Sequence, residues 1–179
     1  MDYVDAGPIL NVLQAPRLNC NIEDSPIEVR KCFAEDLYLN IMPSKPDEPN
    51  GTAWIRERPA LAAALKQVVS LRRQFLPYFV NGTFIGDSVL SAPVSFFVRG
   101  YQLAKSLLII VLNTSDKPEY VTVQTDPALW LPPAHLFEIK SYDFDGRLFR
   151  SQLKSGPRLT MSSRLLHPSE LAIFEVLEK

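Results

Sequence analysis

The sequence predicts an α+β fold in which a short β/α segment and a long amphipathic helix pack on a C-terminal antiparallel β-sandwich. Three observations carry this prediction. Strand-like and helix-like runs alternate before the long helix, and strand-like runs alone follow it. Between them, RPALAAALKQVVSLRRQFLPYF (Arg58 to Phe79) repeats apolar residues at steps of three or four, the spacing of one helical face. The division places residues 1–84 in the β/α segment, with its helix over 59–76, and residues 85–179 in the sandwich.

Ile9 to Leu13 and Arg17 to Ile22 are short β-leaning runs separated by Ala15-Pro16. Ser25-Pro26-Ile27-Glu28 supplies an N-cap hydroxyl, a proline suited to the first helical turn and a glutamate three residues on, so a helix is predicted from Pro26 to Glu35. Asp36 to Met42 alternates as a strand and Pro43 stops it. Pro43 to Trp54, with Pro46, Pro49 and Asn50-Gly51, reads as a loop. Strand, helix, strand, loop, helix is the order of β/α units with parallel strands. In the long helix Leu61, Leu65, Val68, Leu71, Phe75 and Phe79 face one way, and Lys66, Gln67, Ser70 and Arg73 the other. Pro59 fits the first turn, and Pro77 should kink or stop the last.

Asn81-Gly82 and Gly86-Asp87 mark turns. Seven strand-like runs then follow: Ser95 to Tyr101, Ser106 to Asn113, Tyr120 to Thr125, His135 to Tyr142, Arg147 to Leu153, Arg158 to Ser162 and Leu171 to Leu177. Their close spacing is that of a sandwich. Leu107 to Leu112 is apolar at every position, as in a central strand covered on both faces. Asp145-Gly146 is a hairpin turn signal, and the last run is expected at a sheet edge.

Bulk properties exclude several function classes. The net charge of −1 and the absence of a basic run offer no field for nucleic acid or an anionic membrane. No apolar segment has spanning length, and acidic residues stand where a secretory leader carries positive charge, so a soluble chain is expected and its compartment is left open. Cys20 and Cys32 lack metal-ligand spacing and are expected as buried thiols, with a disulfide between them as the alternative. His135 and His167 stand far apart without a triad partner. Asn50, Asn81 and Asn113 begin glycosylation sequons, read as chance matches without a leader. No metal, cofactor or catalytic residue is assigned.

The order LNCNIEDS, helix, DLYLNIMP, Pro-rich loop and the helix ending LRRQFLPYF resembles the seventh and eighth β/α units of a (β/α)₈-barrel glycoside hydrolase. The continuation, an apolar strand ending in NTSDKPEYVTV, a hairpin and LLHPSELAIFEV, resembles the β-sandwich appended to such barrels. The resemblance covers nearly the whole chain and implies a non-catalytic C-terminal part of such a protein. The paired carboxylates of these enzymes commonly sit on middle strands, which this chain lacks. Its implied partners are carbohydrate, a second copy, or a missing catalytic domain. Glu23 and Asp24 follow a strand at the functional mouth of a barrel, and Trp54 offers an apolar face to a sugar, so these three are the carbohydrate-binding candidates. Their plainer roles are helix-entry charges and a residue packed under the loop. Two other readings compete: a glycosidase completed by another subunit, with Asp24 or Glu23 in its site, and a self-contained carbohydrate-binding sandwich using Trp54, Tyr101 or Trp130.

Overall fold

The computed structural model describes residues 19–22, 25–41, 44–45, 48–52, 54–88, 90–131 and 136–179. The expected strand Ile9 to Leu13 lies outside them. The first elements are β1 (Asn19–Ile22), α1 (Pro26–Ala34) and β2 (Tyr38–Ile41). β1 and β2 pair in parallel, Asn19 opposite Tyr38 and Ile22 opposite Ile41, with α1 as the crossover. Ser25 caps α1 as its spacing predicts, its hydroxyl accepting from the Glu28 N–H at 3.4 Å. Asp36, at φ 55°, makes the turn into β2.

The expected loop from Pro43 to Trp54 is instead a hairpin, β3 (Ser44–Lys45) and β4 (Glu48–Thr52). Asn50-Gly51, read as its turn, lies inside β4. Pro49 is compatible because a two-stranded ribbon leaves one side of each strand without ladder bonds. The long helix also differs. α2 (Pro59–Gln74) ends at Phe75, and α3 (Leu76–Asn81) begins anew with Pro77 in its first turn. Pro77 thus stops one helix and starts the next, since its ring excludes a continuous hydrogen-bond ladder but suits an N-terminus. Cys32 is buried and disulfide-bonded, which corrects the thiol reading; the chain's one other cysteine is Cys20. That reading rested on a count of cysteines, which carries no geometry.

Two antiparallel sheets follow, making the chain mixed α and β, and mostly β. All seven expected runs form strands: β7 (Phe96–Leu103), β8 (Ser106–Asn113), β9 (Glu119–Thr125), β10 (Phe137–Tyr142), β11 (Leu148–Lys154), β12 (Leu159–Leu166) and β13 (Leu171–Glu178). Two short strands hidden among the turn signals precede them, β5 (Thr83–Gly86) and β6 (Leu90–Ser91). One sheet has the order β11-β10-β13-β8-β7-β5 and the other β12-β9-β6. β13 therefore lies between β10 and β8, which corrects its placement at an edge. Leu171 to Phe174 are all buried, so both faces of β13 are covered, as an interior strand requires.

The six-stranded sheet is covered on both sides. Leu108, Ile110 and Leu112 of β8 join one apolar cluster with Val29 and Phe33 of α1, Leu61, Val68 and Leu71 of α2, and Phe79 of α3. Leu107, Ile109 and Val111 join a second with Val121, Val123, Leu159 and Met161 of the three-stranded sheet. Period-two alternation of an all-apolar strand thus serves two cores at once. The predicted helical face is buried from Leu61 to Phe79, with Leu65 partly covered.

Candidate functional site

Parallel pairing of β1 and β2 puts their C-terminal ends on one side of the unit. The segments leaving that side are the β1–α1 connection, the β3–β4 hairpin and the turn that enters α2. This is the end at which open β/α sheets present their loops to ligands. Glu23 and Asp24 occupy the first connection and lie outside the described residues. Trp54 opens a short 3-10 turn, Ile55–Glu57, immediately before α2. Its side chain is 68% exposed and not packed beneath the hairpin as the plainer reading held. The Trp54 N–H donates to Glu57 Oε2 at 3.1 Å and its C=O accepts from the Glu57 N–H at 2.8 Å, which holds the turn. The Arg56 guanidinium lies 5.7 Å from the indole centroid. The rim thus displays a flat apolar ring with a cation and a carboxylate beside it, groups that can stack on and hydrogen-bond to a sugar.

Two ionisable clusters that the sequence did not reveal lie away from this rim, where helices meet the six-stranded sheet. In the first, Glu35 at the end of α1 is wholly buried, and its Oε1 accepts from Nε and Nη2 of Arg99 on β7, both at 2.7 Å. The guanidinium also stacks on Phe97 at 3.8 Å, and Asp87 stands 3.9 Å away. Beside it the Tyr101 hydroxyl donates to the Ala34 carbonyl at 2.7 Å, and Asp36 pairs with Arg72 of α2. The C-terminal end of α1 is thereby tied to both β7 and α2. A carboxylate clamped this way inside a core is closed to a substrate, so its role is positional.

In the second cluster Glu175 of β13 accepts from the Tyr78 hydroxyl (α3) and the Tyr142 hydroxyl (β10), each at 2.9 Å. Burial pushes both phenols well above the ordinary tyrosine range, and the Glu175 carboxylate adds to the rise. They remain proton donors to Glu175 across any ordinary pH. A glutamate inside LAIFEVL was the one sequence signal for this cluster, since an interior strand accommodates a carboxylate only with partners.

The remaining candidates separate clearly. Tyr101 is buried and Trp130 packs against the apolar core between the two sheets, its indole N–H donating to Thr125 at 3.1 Å, so neither is an exposed sugar-stacking residue. The His167 N–H donates to Glu170 in a turn at 2.9 Å, and His135 is outside the described residues. Among the described residues no three His, Cys, Asp or Glu side chains group as metal ligands, and no helix is long and apolar enough to cross a membrane.

No protein-family model matches the chain, and no curated protein matches it in sequence. Solved structures match it in fold. A maltogenic alpha-amylase from Thermotoga neapolitana has a TM-score of 0.56 at 14% identity, covering 95% of this chain and 44% of that one. An alpha-amylase from Geobacillus thermoleovorans has a TM-score of 0.53 at 16% identity, covering 91% and 39%. A GH30 endoxylanase from Clostridium papyrosolvens has a TM-score of 0.51 at 12% identity, covering 96% and 45%. The likeness is one of fold: a glycoside-hydrolase-like arrangement that spans less than half the length of each of these chains.

Proposed function

We propose that the chain is a non-catalytic C-terminal part of a glycoside hydrolase-like protein, with residues 1–84 as the last β/α units of a barrel and residues 85–179 as an appended β-sandwich. The observation that carries this reading is the parallel β1-α1-β2 unit, joined through α2 and α3 to one face of a six-stranded antiparallel sheet. Among the described residues the parallel sheet has two strands, and parallel strands occur in larger sheets covered on both faces. In this reading β1 and β2 continue into the strands of a catalytic domain, or of a second copy. Trp54, with Glu23 and Asp24 at the same end, contacts carbohydrate held by that domain, and the chemistry is performed by carboxylates elsewhere.

The test is turnover of a panel of chromogenic α- and β-glycosides by the chain alone, with amide hydrogen exchange on the same sample. No turnover is expected, together with fast exchange in β1 and β2 and slow exchange in β8 and β13. Turnover abolished by Asp24→Asn or Glu23→Gln would show a working active site and overturn the non-catalytic reading. Protection of β1 and β2 equal to that of β8 in a monomeric sample would overturn the incomplete barrel.

A further inference from the structure

The sequons Asn50-Gly-Thr, Asn81-Gly-Thr and Asn113-Thr-Ser fall in unlike surroundings. Asn50 lies within β4. Asn113 is wholly buried at the end of β8, and its amide is spent on the turn that follows. Its Nδ2 donates to the Lys117 and Leu166 carbonyls at 2.8 and 2.9 Å, and its Oδ1 accepts from the Ser115 N–H and hydroxyl at 2.9 and 2.8 Å. This is an asparagine closing its own turn, and an amide so engaged offers no nitrogen to a transferase. Asn81 is placed differently. It is exposed at the last position of α3, and Thr83, also exposed, opens β5. Between them Gly82 is extended, at φ −83° and ψ 157°, with its N–H donating to the Tyr78 carbonyl at 3.0 Å. A Cβ on Gly82 would stand 2.2 Å from that carbonyl oxygen, so the fold dictates the glycine. Packing dictates neither Asn81 nor Thr83, the two residues whose amide and hydroxyl make the motif.

We propose that Asn81 is a modification site, the acceptor of an N-linked oligosaccharide. A second observation points the same way. Cys32 is disulfide-bonded, and disulfides form and persist in oxidising compartments. Asparagine sequons are modified in chains that enter such a compartment. The donor class is an oligosaccharide carried on a polyprenyl pyrophosphate. Asn81 Nδ2 forms a bond to the anomeric carbon as that carbon's bond to the pyrophosphate oxygen breaks. The pyrophosphate leaves with the electron pair, the amide proton passes to a base of the transferase, and nothing is oxidised or reduced. The place of attachment has a physical consequence. β5 is an end strand of the six-stranded sheet, and an open edge invites pairing with another chain. A bulky, hydrated glycan beside the first residue of β5 would shield that edge. The proposal is independent of the carbohydrate-related reading given above, because the sugar here is attached covalently and is not a ligand.

The test is peptide mapping by mass spectrometry of the full chain from the cells that make it, after enzymatic release of N-linked glycans in heavy-oxygen water. Release converts a glycosylated asparagine to an aspartate carrying the heavy oxygen, and this mark is expected at Asn81 and not at Asn113. In variants expressed in the same cells, Thr83→Ala should lose the mark and Thr83→Ser should keep it, while Ser115→Ala leaves it unchanged. Thr83 is exposed, and the serine variant separates loss of the hydroxyl from any effect on folding. An unmarked Asn81, a mark confined to Asn50 or Asn113, or a Thr83→Ala chain marked at Asn81 as before would each overturn the proposal. None of these results would bear on the glycoside hydrolase-like reading, whose test is turnover and hydrogen exchange.

Discussion

The pairing of Glu35 with Arg99 allows a stringent test of how the β/α part is fixed to the sheet. Glu35 is 0% exposed and Arg99 5%, and two N–H groups of one guanidinium converge on one carboxylate oxygen at 2.7 Å. Arg99→Met removes the cation and leaves the carboxylate buried; Glu35→Leu removes the anion and leaves the guanidinium. Breaking a buried pair from one side costs about 3–5 kcal/mol, most of it the desolvation of the charge left behind. For a chain of this length each kcal/mol lowers the melting temperature by about 2–4 °C, so each single variant should melt roughly 6–20 °C lower. Glu35→Leu combined with Arg99→Met removes both charges and should recover much of that loss, because replacing a buried pair by apolar groups is often near neutral. Differential scanning calorimetry of the original, both single variants and the double variant completes the cycle. Single variants within about 1 kcal/mol of the original, or a double variant as unstable as the sum of the singles, would refute the claim that a desolvated ion pair holds α1 to β7.

Other perturbations follow from the same contacts. Gly146, at φ 78°, has Gln74 Oε1 and Leu71 Cδ2 at 2.6 and 2.7 Å from where a Cβ would stand. Gly146→Ala should therefore cost about 1–3 kcal/mol, readable as a lower urea midpoint with unchanged slope. Tyr78 and Tyr142 ionise at higher pH in the folded chain than the value near 10 of an unfolded tyrosine. Their contribution is thus complete below about pH 10 and lost as pH rises further, because there the unfolded chain releases protons that the folded chain retains. Urea midpoints from pH 8 to 11 should fall, and the fall should be shallower in Tyr78→Phe with Tyr142→Phe; identical profiles would contradict the burial of the phenols. Phe75, 3% exposed and edge-on to Tyr142 with centroids 5.1 Å apart, links the helices to β10. Phe75→Asp should abolish one cooperative transition, and two separate melts in the original chain would show that helices and sheets do not unfold together.

Periodicity made most of the fold legible. The helical spacing from Leu61 to Phe79 names the buried face, and the unbroken LLIIVL of β8 announces cover on both sides. What it missed has specific causes. The β3–β4 hairpin is masked by Pro46 and Pro49, which read as loop punctuation although a two-stranded ribbon tolerates them. β5 and β6 are short and meet at Gly86-Asp87, read as a turn, so their length falls below what alternation can register. β13 looked like an edge because it comes last in the chain, but strand order follows long-range pairing, which chain position does not encode. Of Glu23, Asp24 and Trp54, only Trp54 lies among the described residues, exposed at the turn that Glu57 closes. Glu35 and Arg99 lie 64 residues apart in sequence, and no local pattern foretells their meeting.

The distribution of covered and open surface restricts where function can reside. Both faces of the six-stranded sheet are consumed by packing, one by three helices and one by the second sheet. Its ionisable groups are engaged there in ties between layers: Glu35 with Arg99, and Glu175 with Tyr78 and Tyr142. The β10–β11 turn is bound to α2 as well, since Gln67 and Gln74 donate to the Phe144 and Gly146 carbonyls at 2.6 and 2.9 Å. These ties join the sheet to the helices that cover it. The end of the β/α unit that carries the exposed Trp54 is surface that this packing does not use.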